Sequence, residues 1–181
     1  DRLRVSANIS QRALREIYFP AFEHIVKTAQ PWTIMCSYNR INGVHSAQNR
    51  WLLTDVLRDE WGYEGIVMSD WGADHDRVAS LNAGLNLEMP PSYTDDQIVY
   101  AARDGRIQPE QLDRMAQGMI DLVNKTRAAM SVENYRFDVD AHDEVAHQAA
   151  GESMGLLKRD GNSLPVAANA KSAVIGEFAR I

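Results

Sequence analysis

The amino-acid sequence predicts an α/β protein in which buried parallel strands alternate with helices. Short apolar runs typical of buried strands occur at residues 33–37, 66–69 and 85–89. The segments between them carry apolar residues at helical spacing and end at helix-terminating glycines. One strand-like run stops abruptly at Asp70. In a barrel of parallel strands, the residue that follows a strand lies at the end where active sites form.

The first part of the chain is predicted to form a helix, a strand and a second helix. Ser10 is a plausible N-cap for the first helix, and Pro20 predicts a kink or a second helix start within its apolar stripe. The first strand follows at residues 33–37. Residues 52–60 are then predicted to be helical, and Gly62 closes this helix before the next strand.

The middle of the chain repeats the alternation. The strand at residues 66–69 is followed by a helix at residues 74–82, which Gly84 terminates, and by the strand-like run at 85–89. The charged residues 74–76 resemble the start of a Ca²⁺ loop, but too few oxygen ligands follow at the required spacing. We therefore interpret them as solvated charges at a helix N-terminus.

The remainder of the chain is predicted to be mainly helical. Residues 95–103 form a helix that Gly105 can terminate, and Pro109 begins a long amphipathic helix that continues to about Met130. Its methionines are interpreted as core residues. The last predicted elements are a polar connection at 132–140, a helix at 142–157, a turn-rich linker at 158–170 and a strand at 173–176.

Composition excludes several kinds of site. The net charge of −6 and the pI near 5.3 argue against nucleic acids and anionic membranes as partners, and no apolar run approaches the length of a membrane span. Cys36 is the only cysteine, so no internal disulfide forms, and its apolar surroundings predict a buried, inert thiol. The histidines lack metal-ligand spacing and no glycine-rich phosphate loop is present. No metal and no cofactor is predicted.

Asp70 is the candidate catalytic residue. A carboxylate at the end of a buried strand must face a polar environment, which suits a nucleophile in an active site. The alternative is that Asp70 caps the following helix. Trp71, the next residue, is a candidate platform for the apolar face of a ring.

Five motifs around Asp70 occur together in one order. They are IMCSYNRING at residues 34–43, WLLTDVLR at 51–58, WGYEG at 61–65, GIVMSDWGA at 65–73 and AGLNLEMP at 83–90. In this order and spacing they resemble the catalytic barrel of the glycoside hydrolases of family three, the β-glucosidase group. The resemblance begins at residues 12–18 and extends to residues 156–165.

The resemblance implies the domain organisation. Residues 1–158 are expected to form the C-terminal part of a catalytic (β/α)8 TIM-like barrel. Residues 159–181 are expected to be a linker and the first strand of a following α/β sandwich domain. Because a complete barrel needs about 250 residues, the 181-residue chain is expected to be an internal piece of a larger enzyme, whose remainder is its partner.

The resemblance also implies the chemistry. Asp70 would be the nucleophile of a retaining glycosidase and would form a covalent glycosyl intermediate. The partner acid/base of the family is a Glu in the second domain, and nothing in this chain matches its motif. Glu88 is the internal substitute to consider, but its Leu-Glu-Met-Pro turn favours a structural role over a catalytic one.

The resemblance assigns sugar recognition to three residues. Tyr38 matches a tyrosine that lines the first sugar subsite, and Met35 on the same strand resembles a methionine of that subsite. Trp71 after Asp70 is typical of glucosidases, whereas Cys at that position is typical of xylosidases. The alternative is that Tyr38 and Met35 are core residues. Asn86 departs from the Asp that the family usually has, which removes a charge near the end of a strand.

The function implied is that of a retaining β-glucosidase that releases terminal non-reducing β-D-glucosyl residues from small glycosides or oligosaccharides. Two alternatives remain: a β-xylosidase of the same family, and a non-catalytic carbohydrate-binding fragment. A barrel aldolase would need a Schiff-base lysine, and no lysine here ends an apolar strand. The sequence leaves the cellular compartment open.

Overall fold

This computed structural model describes residues 2–130, 136–161 and 164–177, and its short strands alternate with helical segments between residues 6 and 68. The chain divides into two units, residues 1–133 and 134–181. The helices of the described residues are α1 (Gln11–Ala13), α2 (Pro20–Ala29), α3 (Arg77–Ala83), α4 (Asp95–Arg103), α5 (Pro109–Met130) and α6 (Val139–Ser153), with π-helical segments at Leu14–Tyr18 and Trp51–Glu60 and a 3₁₀ turn at Ser46–Gln48. The strands are β1 (Ser6–Ala7), β2 (Thr33–Met35), β3 (Arg40–Ile41), β4 (Val44–His45) and β5 (Ile66–Met68). No helix of the described residues has the length and apolar character needed to cross a membrane.

The predicted parallel strands lie side by side. β2 pairs with β5 in parallel, with Ile34 opposite Val67. Leu87 adds a single parallel bridge to Met68, so the predicted strand at 85–89 is reduced to one bridge. The reason is local, because the side chain of Asn86 accepts the Val67 N–H at 2.9 Å and takes a donor that a longer ladder would use.

A second small sheet was not predicted. β1 pairs in parallel with β3, and β3 pairs in antiparallel fashion with β4. The hairpin turns at Asn42 and Gly43, both at positive φ (50° and 87°), as a two-residue Asn-Gly turn requires. The side-chain amide of Asn42 also bonds the backbone N–H and C=O of Ile9, which holds the hairpin against the chain before α1.

The predicted helix boundaries are largely confirmed. Ser10 caps α1 by accepting the Ala13 N–H, and Pro20 begins α2 after the π-helical segment. Gly84 ends α3 in the left-handed conformation at φ 112°. The last helix differs from its predicted span of 142–157: α6 begins earlier because Asp138 caps it, and it ends where Met154 turns extended.

Two clusters of buried side chains hold unit 1 together. The larger packs the π-helical segment Trp51–Glu60 and α2 against β2 and β5, and includes Val26, Val56 and Val67. The smaller joins α3, α4 and α5 through Leu81, Ile107 and other buried residues. Each fully buried aliphatic side chain contributes about 1.5–3 kcal/mol. The larger cluster includes Val67 and so packs on the strand that precedes Asp70.

The predicted strand at residues 173–176 does not form within the described structure, and its place in a following domain stays a prediction. These residues form no helix or strand, and Ile175 is 92% exposed. A strand needs a neighbour for its backbone hydrogen bonds, and none pairs with this segment among the described residues. The predicted polar connection at 132–140 lies partly outside the described residues. The described part of the predicted linker contains no helix or strand.

Candidate active site

Asp70 lies just beyond β5, on a half-buried loop. Ile66 and Val67 of β5 are fully buried, and Ser69 is buried as well. The Asp70 Oδ1 atom accepts the backbone N–H of Trp71 at 2.6 Å. Asp70 does not cap the following helix, because Asp76 accepts the Ala79 N–H and caps α3. The capping alternative for Asp70 is therefore wrong.

The loop that carries Asp70 is tied to the turn after Leu87. Ser69 donates its backbone N–H to the Leu87 carbonyl at 2.9 Å. Its hydroxyl accepts the Met89 N–H at 2.8 Å and donates to the Met89 carbonyl at 3.1 Å. The Gly72 N–H also donates to the Met89 carbonyl at 2.8 Å. Such a network holds a reactive carboxylate in one place, which a positioned nucleophile needs.

Tyr38 is brought next to Asp70 from a separate part of the chain. Its hydroxyl donates to the Trp71 carbonyl at 3.0 Å. Removal from water raises the pKa of Tyr38, and a hydrogen bond and charge interaction with the Asp70 side chain raise it further. The guanidinium of Arg2 lies 5.5 Å from the centre of the Tyr38 ring and acts in the opposite direction. The Tyr38 hydroxyl thus bonds the Asp70 loop and lies near enough to the carboxylate for its charge to act on Tyr38.

Trp71 and Met35 are the exposed members of the predicted sugar-binding set. Trp71 is 65% exposed, so its indole face is open beside Asp70. Met35 ends β2 and is 57% exposed. It lines an apolar cavity of about 380 Å³ with residues such as Phe22 and Ile34. A role for Met35 beside a sugar stays a prediction.

Glu88 is held in an ionic and hydrogen-bonded cluster. Its carboxylate lies 3.3 Å from Arg77 and accepts the N–H and hydroxyl of Ser92, each at 3.0 Å. The Glu88 side chain is only 9% exposed. These contacts agree with the structural role that the sequence favoured over acid/base catalysis.

Asp74 corrects the interpretation of residues 74–76 as solvated charges. The Asp74 side chain is 1% exposed, pairs with Arg77 at 3.2 Å and accepts the Ser80 hydroxyl at 2.6 Å. A buried carboxylate is tolerated because a cation and a hydroxyl replace water around it. Asp74 therefore joins the Glu88 cluster through Arg77.

Asn86 replaces the expected Asp and uses both the oxygen and the nitrogen of its side-chain amide. Its Oδ1 accepts from Arg58 at 2.8 Å and from Val67 N–H, while its Nδ2 donates to the Met115 carbonyl at 3.1 Å. Arg58 also donates to the carbonyl oxygens of Gly65 and Gly84, and burial lowers its pKa. This role of Arg58 was not evident from the sequence, because its partners lie on separate segments.

Cys36 is buried, as predicted, and burial raises the pKa of its thiol to about 11. Within the described residues no cluster of three or more His, Cys, Asp or Glu side chains could hold a metal.

The rings of His45 and His75 lie in tilted contact, with centroids 4.1 Å apart. No sequence spacing indicated this contact.

Comparison with known proteins identifies the family of this chain. Residues 4–122 match the model of the glycosyl hydrolase family 3 N-terminal domain. The chain is 82% identical to an exo-α-(1→6)-L-arabinopyranosidase of Bifidobacterium breve, over 99% of this chain and 25% of that protein.

Two solved structures share the fold. A family 3 β-glucosidase of Bifidobacterium adolescentis is 93% identical, with a TM-score of 0.82 over 99% of this chain and 27% of that one. β-Glucosidase 3B of Thermotoga neapolitana in complex with glucose is 37% identical, with a TM-score of 0.74 over 84% of this chain and 23% of that one. The chain thus spans about a quarter of the length of these relatives. With most of its length matched by the family model, the chain belongs to glycosyl hydrolase family 3.

Proposed function

We propose that this chain carries the nucleophile of a retaining β-glucosidase, which releases terminal non-reducing β-D-glucosyl residues from small glycosides or oligosaccharides. The observation that carries the proposal is the Asp70 loop. A half-buried carboxylate just beyond a strand is followed in sequence by the exposed Trp71 and lies near the Tyr38 hydroxyl. A sugar ring placed on the indole would bring its anomeric carbon toward the carboxylate.

Each residue then has a role in the displacement. The Trp71 N–H holds Asp70 Oδ1, so we assign attack on the anomeric carbon to Oδ2. This attack forms a glycosyl ester at Asp70 as the aglycone oxygen departs with a proton. The Tyr38 hydroxyl would stabilise the carboxylate before attack. A general acid/base about 5–5.5 Å away completes a retaining mechanism, and we place it outside this chain because Glu88 is held by Arg77 and Ser92.

We propose the same wider architecture that the sequence predicts. Residues 1–158 would be the C-terminal part of a (β/α)8 barrel, and residues 159–181 would lead into an α/β domain. The parallel order of β2, β5 and the bridge at Leu87 supports the first part. One face of this segment would then meet the earlier strands of the barrel.

A second candidate is an α-L-arabinopyranosidase, because the 82% identical relative carries that activity in its name. An α-L-arabinopyranoside and a β-D-glucopyranoside both present an equatorial glycosidic bond, so one nucleophile can serve either. The two sugars differ at the C4 hydroxyl and in the hydroxymethyl group of glucose. A β-xyloside also lacks that hydroxymethyl group and forms the third substrate to compare.

The test uses residues 1–181 grafted in place of the corresponding segment of two hosts, the B. adolescentis β-glucosidase and the B. breve arabinopyranosidase. Both grafts should hydrolyse aryl glycosides with retention of configuration. The arabinopyranosidase graft should shift toward the aryl β-glucoside relative to its host. Two folded but inactive grafts would contradict a catalytic role, and binding of glucose without turnover would favour a carbohydrate-binding fragment. An arabinoside preference in both grafts would favour the second candidate.

A further inference from the structure

Two histidines from separate segments have their rings in tilted contact, and one of them belongs to the Asp70 loop. The ring centroids of His45 and His75 lie 4.1 Å apart, with their planes inclined at 43°. His45 ends β4, in the hairpin that follows Tyr38. His75 lies between Asp70 and the first residue of α3. The contact therefore joins the segment of Tyr38 to the loop of Asp70.

His45 is the fixed member of the pair. It stands opposite Arg40 across the hairpin, and the Arg40 Nε donates to His45 Nε2 at 3.0 Å. A ring nitrogen that accepts a hydrogen bond carries no proton, so His45 is the neutral imidazole. Burial lowers the pKa of His45, and the neighbouring His75 and Arg40 lower it further. These effects keep the ring in the form that Arg40 can bind.

The ring contact ties the loop of residues 70–76 to the hairpin segment, where the other attachment is the hydrogen bond from Tyr38 to the Trp71 carbonyl. The loop is also bonded to Met89 through the Gly72 N–H and to α3 through the buried Asp74 side chain. The contact between the two histidines adds a further point that restricts the orientation of the loop. The orientation of this loop also determines the position of the Trp71 side chain. In the described part of the chain, the largely exposed Trp71 side chain packs on no other aromatic ring or cation, so its place depends on its backbone.

We propose that His75 is a positioning residue, which orients Asp70 and Trp71 through its ring contact with His45. The inference rests on the proposed glycosidase function for its kinetic readout. Its structural readout is the position of the Trp71 ring. The contact acts through shape and contact area, so an aromatic ring without ring nitrogens should replace His75, whereas alanine should not.

The experiment uses the graft of residues 1–181 in the B. adolescentis β-glucosidase. His75→Ala should lower kcat about tenfold, because misplacing a nucleophile by a fraction of an ångström costs one to two orders of magnitude. KM should change less, and His75→Phe should restore kcat to within about twofold. His24→Ala is the matched control, since His24 is exposed on α2. All assays are made well below the melting temperature of each variant.

A spectroscopic measurement separates this inference from the proposed function. The graft protein is labelled with 5-fluorotryptophan, and the ¹⁹F resonance of Trp71 is the one that is lost in Trp71→Phe. This resonance should move or broaden in His75→Ala. It should remain unchanged in His75→Phe and His24→Ala. A graft that is inactive but shows this pattern would refute the proposed function and support the positioning role. An unchanged Trp71 resonance in His75→Ala, or equal impairment of the Ala and Phe variants, would overturn the positioning role.

Discussion

The hydroxyl of Tyr38 donates a hydrogen bond to the backbone carbonyl of Trp71 at 3.0 Å. The residue predicted to line the first sugar subsite thus holds the main chain of the residue predicted to stack on the sugar. The same hydroxyl interacts with the Asp70 carboxylate, which raises the pKa of Tyr38. Substitution at Tyr38 is therefore expected to affect both the nucleophile and the stacking platform.

Tyr38→Phe should lower kcat more than it changes KM in the grafted enzyme. The variant keeps the ring but removes one hydrogen bond near a charged group, which is worth about 1.5 kcal/mol, or roughly tenfold in rate. Steady-state kinetics on an aryl β-glucoside measure the split. Kinetics equal to those of the unmodified graft would show that the Tyr38 hydroxyl has no role in catalysis and that Tyr38 is a packing residue.

Asp70→Asn should reduce turnover by about 10⁴-fold or more, because the isosteric amide is not an effective nucleophile and no other group can replace it. Asp55→Asn is a matched control, since Asp55 is a half-exposed carboxylate paired with Arg50 at 3.6 Å. A mechanism-based fluorinated glucoside should label Asp70, as read by peptide mass spectrometry. Labelling at Glu88 would contradict the assignment.

Trp71→Cys should weaken turnover of a β-glucoside more than turnover of a β-xyloside. The change removes the exposed indole face and opens room beside the sugar, and loss of a ring contact of about 1 kcal/mol corresponds to roughly fivefold. Trp71→Phe, which retains a ring, should change the ratio of the two rates less. Identical ratios in all three proteins would exclude Trp71 as a specificity element.

The isolated 181-residue chain should hydrolyse no β-glucoside at a measurable rate. Glu88 is held by Arg77 and Ser92, so it is not free to act as the acid/base. Within the described residues, β2 pairs with β5 on one side, and an unpaired strand edge promotes association. An aryl-glucoside assay and light scattering test both expectations. Robust activity that Glu88→Gln abolishes would make Glu88 the acid.

Gly118→Ala should destabilise unit 1 by about 1–2 kcal/mol, although alanine favours a helix by about 1 kcal/mol over glycine. A Cβ on Gly118 would lie 2.9 Å from the Asn86 Nδ2 atom and 3.4 Å from Ile66. Asn86 cannot yield readily, because Arg58, Val67 and Met115 hold its amide. Urea denaturation measures the change.

Gly151→Ala is the control for Gly118→Ala. Gly151 lies in α6, and a Cβ added there would meet no atom within 4 Å, so its substitution should be neutral or slightly stabilising. Equal effects of the two substitutions would show that backbone propensity, rather than contact with Asn86, determines the result at Gly118.

Features set by neighbouring residues were predictable from the sequence. Ser10, Pro20 and Pro109 begin helices because capping and proline geometry act within one turn. The run that ends at Asp70 identifies a buried strand by composition alone. The boundary of α6 was less predictable, since the cap at Asp138 lies before the apolar pattern used to locate the helix.

Features set by distant residues were not predictable. His45 meets His75, and Asn86 bonds groups on three segments, only after the chain has folded. The burial of Asp74 was missed for another reason: its partners Arg77 and Ser80 are near in sequence, but only the folded chain largely removes all three from water. The segment at 173–176 has the composition of a strand, but composition does not supply the partner that a strand requires.

The burial of Cys36 makes the chain suitable for site-specific labelling. Its thiol is enclosed and its pKa is raised to about 11, so little reactive thiolate is present at neutral pH. A maleimide probe should therefore leave Cys36 unmodified and react with a cysteine introduced at an exposed position. The Trp71→Cys variant would supply such a position beside Asp70, and a fluorophore attached there would report sugar binding from within the site.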